Sequence, residues 1–84
     1  MSNTPTRYAA NSILEAILAY KKREGEYPSQ RALCVEAERS LAHVNAMVKH
    51  LVDQGYVRLS KSGGRIIEAH YGIVTDPEKE KEHG

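Results

Sequence analysis

Hydrophobic residues in the first third of the chain recur every three or four positions, which is the period of one helix face. The members of this stripe are Ala10, Ile13, Leu14, Ile17 and Leu18. Three basic residues at 21–23 and then Gly25 follow the stripe. Because cations and a glycine both favour the C-terminal end of a helix, the pattern predicts a first helix that ends near residue 24.

The start of this helix has two competing signals. Thr4 followed by Pro5 is a suitable cap and first position, whereas Ser12 followed three residues later by Glu15 forms a capping box. Both signals are compatible with a kinked helix, so the sequence leaves the choice open. Residues 1–11 are therefore expected to be either an N-terminal arm or an extension of the first helix.

Two further helical segments follow, each preceded by a serine that can cap it. Ser29 precedes a segment at about 30–37, and Ser40 precedes one at about 41–54, which Gly55 ends. The residues that we expect to face the core are Leu33, Cys34 and Ala37 in the first segment and Val44, Val48 and Leu51 in the second.

The hydrophobic period changes to a step of two after the third helix, which predicts a β-hairpin. Strand-like runs at 56–60 and 65–69 flank a turn-like segment that contains two glycines. A three-residue loop at 62–64 gives cross-strand partners of matching character. The expected pairs are Val57 with Ala69, Arg58 with Glu68, and Leu59 with Ile67. A two-residue loop would place Leu59 opposite Glu68, a poor match on a half-buried face.

The order of these elements predicts an α+β fold that is mainly α, a three-helix winged helix-turn-helix with a C-terminal β-hairpin wing. We expect the domain to span residues 12–74. Residues 70–74, after the hairpin, are apolar and predict either another strand or a contact surface. Residues 75–84 are expected to be a charged, disordered tail, because they hold four acids and two lysines.

Formal charge is nearly balanced over the whole chain, at +1, but it is unevenly distributed. The segment 39–65 contains five lysine and arginine residues and one acid, a charge of +4, whereas the tail carries −2. Because local charge governs contact with phosphates, the basic segment is the part of the chain that favours nucleic acid.

Composition narrows the class of protein further. At 84 residues the chain has room for one domain with a modest core, built mainly from aliphatic residues because Phe and Trp are absent. Its single cysteine, Cys34, cannot form an internal disulfide, and we expect it to be a packing residue in a cytoplasmic protein. No run approaches the ~20 apolar residues of a membrane helix. We therefore expect no membrane association.

Catalytic and metal-binding motifs have no support in the sequence. No arrangement of Ser, His and an acid, and no glycine-rich phosphate loop, is recognisable. His43 and His50 are seven residues apart, too far to share a metal without further ligands. We therefore expect neither an enzyme nor a protein that binds a cofactor.

A recognisable series of motifs runs through the chain. It comprises GEYPS at 25–29, the helical stripe at 44–51, GYVR at 55–58 and RIIE at 65–68. Over residues 6–68 the series resembles the N-terminal DNA-binding domain of LexA-type repressors, and more loosely bacterial regulators of the GntR and MarR groups. The resemblance implies that the third helix recognises DNA while the wing contacts its backbone.

The chain departs from the LexA pattern at several points. Glu38 and Arg39 stand where a glycine and an apolar residue are usual between the second and third helices, and Glu26 is an extra residue. A non-glycine residue at positive φ costs about 1 kcal/mol, so the turn at 38–42 is expected to be built differently. LexA-type chains also continue into a self-cleaving protease domain, for which this length leaves no room.

The residues expected to contact DNA lie off the buried stripe of the third helix and beside the tip of the wing. These candidates are Ser40, Ala42, His43, Asn45, Ala46 and Lys49 in the helix, with Lys61 and Arg65 on the wing. Ser40 or the helix N-terminus could hold a phosphate, Asn45 could pair with an adenine edge, and His43 could donate to a guanine or a phosphate. The three cations would position the protein on the backbone.

The function predicted from these features is sequence-specific binding of double-stranded DNA by a small transcriptional regulator. Specificity from so small a domain usually requires a homodimer on paired half-sites, and either the residues before Ser12 or the segment 71–74 could form the dimer surface. Two alternatives stay open. One is a winged-helix adaptor for a protein partner, since Leu41, Ala42 and Ala46 are apolar; the other is an accessory protein of DNA replication or partition.

Overall fold

The computed structural model describes residues 6–62 and 64–75, in which three helices precede two short antiparallel strands. In chain order these are α1 (Thr6–Glu24), α2 (Gln30–Ala37), α3 (Leu41–Asp53), β1 (Val57–Leu59) and β2 (Ile66–Ala69). This arrangement confirms the mainly helical α+β class. The predicted tail, apart from Thr75, and residues 1–5 of the predicted arm lie outside the described residues.

The described part of α1 begins at Thr6, so the helix extends upstream of Ser12 and the start at Ser12 is wrong. The other predicted start, at Thr4 and Pro5, lies outside the described residues. Glu15 takes part in a different contact from the predicted capping box, because its carboxylate accepts a hydrogen bond from the Asn11 side chain at 3.2 Å. Ala10 is completely buried. Packing of this early turn against the core therefore stabilises the helix upstream of the local capping signal.

The serine caps of the two shorter helices are confirmed. Ser29 Oγ accepts a hydrogen bond from the Ala32 backbone N–H at 3.0 Å, and Ser40 Oγ accepts one from the His43 backbone N–H at 3.2 Å. Each cap satisfies a backbone donor that the helix itself leaves unpaired, which stabilises the helix by about 1 kcal/mol. The end of α3 at Asp53 is within one residue of the prediction.

One hydrophobic core joins the three helices to the hairpin. Its buried members are Ala10, Ile13, Leu14, Ile17, Leu33, Val44, Val48, Leu51, Val57, Ile66, Ala69 and Val74. Cys34 and Ala37 pack against this cluster, as predicted for the inner face of α2. None of the helices in the described part of the chain is long and apolar enough to cross a membrane.

The register of the hairpin is confirmed at two pairs and wrong at the third. Val57 pairs with Ala69 and Arg58 with Glu68, but Leu59 pairs with Ile66, because a bulge interrupts the ladder. The extra residue is Ile67, whose side chain is 47% exposed. In a regular strand, residues 66 and 69 would face opposite sides of the sheet. The bulge lets both of them enter the core, which a period-two pattern does not anticipate.

An isolated antiparallel bridge ties the hairpin to the helices. Ser29, which caps α2, bridges Arg65, the residue before β2. Arg65 also joins the two arms of the hairpin, because its carbonyl accepts a hydrogen bond from the Ser60 N–H at 2.8 Å. The loop end of β2 is therefore fixed beside the start of α2.

Residues 70–75, here called the strap, fold back along the end of α3 and form no strand. The Tyr56 hydroxyl donates to the Ile73 carbonyl at 2.6 Å. The Gln54 side-chain amide pairs with the backbone of Thr75, donating to its carbonyl at 3.1 Å and accepting from its N–H at 3.1 Å. His50 Nε2 lies 2.7 Å from the same carbonyl. These contacts fix the strap as part of the domain.

Candidate nucleic-acid interface

The third helix divides into a buried stripe and an exposed face. Val44, Val48 and Leu51 are at most 1% exposed. The candidate residues on the exposed face are Ser40, Ala42, Asn45, Ala46 and Lys49, whereas His43 is half-buried. Because Ala42, Asn45 and Lys49 are three and four residues apart, they lie along the same side of the helix. This face has the pattern that the sequence predicts.

The turn before α3 contains a strained residue. Glu38 adopts φ 57° and ψ 46°, the left-handed conformation that a glycine would take, so the expected different construction of this turn is wrong. Two backbone hydrogen bonds close the turn, from the Glu38 N–H to the Val35 carbonyl at 3.3 Å and from the Arg39 N–H to the Cys34 carbonyl at 3.1 Å. These bonds fix where α3 starts relative to α2.

A groove of about 340 Å³ joins the exposed face of α3 to the hairpin. The residues that line it come from α2, α3 and β1 and are Gln30, Asn45, Val48, Lys49, Val52 and Leu59. The structure thus brings two of the predicted site residues, Asn45 and Lys49, to the wall of one groove. Asn45 and Lys49 form a polar rim and Val48 lies at the apolar floor. The groove can therefore accommodate a ligand that has both hydrogen-bonding groups and an apolar surface.

Gln30 is a residue of this groove that sequence reasoning missed. Its side-chain Oε1 is buried and has no hydrogen-bond partner. A buried unpaired carbonyl oxygen is costly, so Gln30 is an acceptor that a donor from Asn45, Lys49 or a ligand could satisfy. The sequence gives no direct signal, since a glutamine just after a helix cap is usually a solvated residue.

A second, larger groove of about 510 Å³ lies between the first turns of α1 and the start of α3. Its polar lining residues are Tyr8, Ser12, Arg39, Ser40 and His43. Ser40 and His43 are therefore together, in a groove separate from that of Asn45 and Lys49. Since Ser40 Oγ already accepts the capping bond, its hydroxyl hydrogen is what it can offer to an anion.

Lys61 and Arg65 lie on the loop side of the hairpin, where the sequence places them. Both are exposed. The hydrogen bond between Ser60 and Arg65 closes a longer loop than the three residues predicted. Gly63 in this loop lies outside the described residues.

Ion pairs engage two of the arginines, Arg23 at the end of α1 and Arg58 in β1. Arg23 donates to Glu36 at 2.8 and 3.1 Å, and these bonds hold the pKa of Glu36 below its ordinary value. Arg58 pairs with Glu68 across the hairpin, as predicted, and His70 Nε2 lies 2.8 Å from the same carboxylate. The hydrogen bond from Arg58 is the main cause that lowers the pKa of Glu68.

Other cations around α3 have no acidic partner within the described residues. All of these cations are exposed. The set comprises Arg31, Arg39, Lys49, Lys61 and Arg65. Lys49, Lys61 and Arg65 are predicted site residues, whereas Arg31 and Arg39 were not among the residues predicted from the sequence. Positive charge is thus uncompensated in the turn before α3, along α3 and on the hairpin.

Within the described residues, no group of three or more His, Cys, Asp and Glu side chains could hold a metal ion. Comparison with protein-family models, with curated proteins and with solved structures gives no match.

Proposed function

We propose that this chain is a winged helix-turn-helix protein that binds double-stranded DNA and regulates transcription. In this proposal, the exposed face of α3 enters the major groove while the hairpin follows the sugar-phosphate backbone. The observation that carries the proposal is the exposed face itself. An amidic side chain and a lysine line a groove beside a hairpin in which Lys61 and Arg65 have no acidic partner among the described residues.

The dimensions of α3 suit the major groove of B-form DNA, which is about 12 Å wide and admits one helix. Alanines at 42 and 46 flank Asn45 on the exposed face, so the helix backbone can approach the base edges closely. Asn45 carries the amide of this face, whose donor and acceptor lie side by side, and an adenine edge offers the complementary pair. We assign base recognition to Asn45.

We assign the phosphate contacts to cations that have no acidic partner among the described residues. Lys49 lies on the exposed side of α3, and Lys61 and Arg65 lie beside the hairpin tip, so one strand of the backbone could pass between helix and hairpin. Their contacts would position the protein and would carry no sequence information. Ser40 and His43, on the opposite groove, would contact a phosphate at the start of α3.

The attachment of the hairpin supports its role as a wing. The bridge between Ser29 and Arg65 fixes the hairpin against α2, so that the orientation of Arg65 relative to α3 is set before DNA binds. A preorganised cation loses less conformational entropy on binding than one on a loose loop.

Fluorescence anisotropy with random-sequence duplex DNA, measured over a range of salt concentrations, tests the proposal. Each phosphate contact contributes about 0.9 to the slope of log affinity against log salt. The variant Lys49→Ala/Lys61→Ala/Arg65→Ala should therefore reduce the slope by about 2.7. A matched control, Lys22→Ala/Lys79→Ala/Lys81→Ala, removes the same charge from the end of α1 and from the tail.

The two triple variants separate local contact from overall charge. We expect the control to keep nearly the slope of the wild type. Equal losses in both variants would show that only net charge matters, and a folded wild-type chain that fails to bind at low salt would refute DNA binding.

A protein partner is the second candidate, favoured by apolar exposure at the start of α3. Leu41 is 49% exposed, and Val35 on α2 is 77% exposed. Apolar side chains at such positions mark protein contacts when they form a patch. In this case Leu41→Ser would abolish capture of the partner, whereas the cation triple variant would not. A role in replication or partition would share the DNA interface and differ only in its target site.

A further inference from the structure

We propose that Gln30 positions the side-chain amide of Asn45 and thereby determines which base the exposed face of α3 accepts. The two residues line the same groove, Gln30 from the first position of α2 and Asn45 from α3. The Oε1 atom of Gln30 is buried and has no hydrogen-bond partner. A hydrogen bond from Asn45 Nδ2 would satisfy it. The choice of base rests on the proposed function, whereas the contact between the two amides does not.

The place of Gln30 in the fold is fixed by its neighbours. Ser29, immediately before it, caps α2 and bridges Arg65. Leu33 and Cys34, three and four residues later on the same side of α2, pack in or against the core. Gln30 therefore extends the inner face of α2, which explains why a polar side chain has a buried oxygen. An acceptor held in this way can orient a neighbouring donor.

The Asn45 side chain, by contrast, is exposed and has no hydrogen-bond partner among the described residues. An amide that is free to rotate can present either its N–H groups or its oxygen to a base edge. In the major groove adenine offers an acceptor and a donor, whereas guanine offers two acceptors. An unconstrained amide can donate to both bases and therefore discriminates poorly between them.

A bond to Gln30 would remove this ambiguity. Asn45 Nδ2 carries two hydrogens, of which one would be donated to Gln30 Oε1 and the other would remain for N7 of a purine. The Asn45 oxygen would then lie beside position 6 of the base, where adenine has an amino group and guanine has an oxygen. Because two facing oxygens repel each other, we expect adenine to be preferred over guanine.

Lys49 also lines this groove and is a second donor that could reach Gln30. Its ammonium group would have to leave water to contact a buried oxygen, and burial of a charge costs more than burial of a neutral amide. Asn45 is therefore the donor that we assign. A base of DNA is a poorer candidate than either side chain, because the oxygen is already covered by protein atoms.

Nuclear magnetic resonance of the full chain without DNA tests the contact. The side-chain amide signals of Asn45 are identified by their loss in Asn45→Ala. One of the two amide hydrogens should exchange with water more slowly than those of a solvated amide. Gln30→Met has a similar length but only a weak acceptor, so it should abolish this protection, whereas Gln30→Glu keeps the acceptor and should preserve it. Arg31→Met, the same new residue one position along α2, is the matched control and should leave the Asn45 signals unchanged.

Anisotropy on two duplexes that differ only by adenine or guanine at one position tests the effect on specificity. That position is the one at which Asn45→Ala loses its preference. Gln30→Met should lower the preference for adenine about fivefold or more and leave the salt slope unchanged, because no phosphate contact is lost. Gln30→Glu should retain the preference. Added to Asn45→Ala, Gln30→Met should have no further effect.

Two results would overturn the inference. One is an Asn45 amide that gives the same signals in the wild type and in Gln30→Met. The other is a change of base preference when Gln30→Met is added to Asn45→Ala, because Gln30 would then act without Asn45. A folded chain that protects the Asn45 amide but does not bind DNA would refute the proposed function and support the contact between the two amides. Far-UV circular dichroism verifies that each variant is folded.

Discussion

The ring of Tyr56 lies directly against Gly72, so closely that a Cβ atom at position 72 would overlap Tyr56 Cε1. The hydroxyl of the same ring donates to the Ile73 carbonyl at 2.6 Å. The ring cannot move away from position 72 without losing this hydrogen bond. The two residues together fasten the strap to the domain.

Gly72→Ala should therefore destabilise the protein. The methyl group would displace the ring, and overpacking of this kind costs about 1–3 kcal/mol. Urea denaturation gives the change in the free energy of unfolding. Gly64→Ala is the matched control, because the nearest atom to its added Cβ is 3.9 Å away. Equal stability of the two variants would contradict the contact between Tyr56 and Gly72.

Relief of backbone strain at Glu38 should stabilise the domain. Glu38 is the only non-glycine residue at positive φ in the described part of the chain. A left-handed residue with a Cβ costs about 1–2 kcal/mol, and the added freedom of the unfolded chain cancels part of the gain from glycine. We expect Glu38→Gly to raise the free energy of unfolding by about 0.5–1 kcal/mol.

Arg39→Gly is the control for this prediction, because it introduces the same flexibility at a neighbouring residue without positive φ. It should give no gain in thermal stability. If both glycine variants are destabilised alike, the strain at Glu38 is not significant.

Local signals in the sequence predicted much of the helical part of the fold. The starts of α2 and α3 follow from serine caps, since Ser29 and Ser40 make the predicted capping bonds. The ends of α1 and α3 follow from Gly25 and Gly55. The exposed face of α3, with Asn45 and Lys49, follows from the position of the buried stripe. These features are set by interactions between residues a few positions apart, which a single sequence displays.

Features that depend on distant contacts could not be predicted in the same way. The bulge at Ile67 exists because Ile66 and Ala69 both enter the core, a condition imposed by the helices rather than by the strand. The pairing of Gln54 with Thr75 joins residues 21 positions apart. The unpaired oxygen of Gln30 becomes visible only once α2 lies beside α3.

The ion pair between Glu68 and Arg58 should make stability depend on pH in acid. The pKa of Glu68 is lower in the folded protein than its ordinary value of 4.5, so the folded state favours the ionised form. The stabilisation is present above that ordinary value, and it is lost as the pH falls through the lower folded pKa. Chemical denaturation at pH values below about 5 measures this loss.

Glu68→Gln should flatten the pH dependence of unfolding in this acid range. Glu26→Gln is the control, since Glu26 is an exposed carboxylate of the α1–α2 connector with no ion pair among the described residues. It should retain the slope of the wild type between pH 5 and pH 3, the range in which carboxylates titrate, to within about 10–15%. The same slope in Glu68→Gln would contradict the role of this pair.

Asn45 and Lys49 lie one helical turn apart on the exposed face of α3, and their variants should affect DNA binding in different ways. Asn45→Ala removes hydrogen bonds to one base, so it should cost about 1–3 kcal/mol on the selected site and almost nothing on random DNA. Lys49→Ala removes a phosphate contact, so it should weaken both by a similar factor and reduce the salt slope by about 0.9.

Selection of binding sites from a randomised duplex library, followed by anisotropy on the selected and random sequences, measures both effects. The library selected by Asn45→Ala should lose its preference at a single position of each half-site, while that selected by Lys49→Ala should keep the wild-type preference. Because Lys49→Ala alters the same face of α3, its retained preference also controls for disturbance of the helix surface. If Asn45→Ala weakens binding to random and selected DNA equally, Asn45 contacts the backbone, and base recognition must come from another residue of α3.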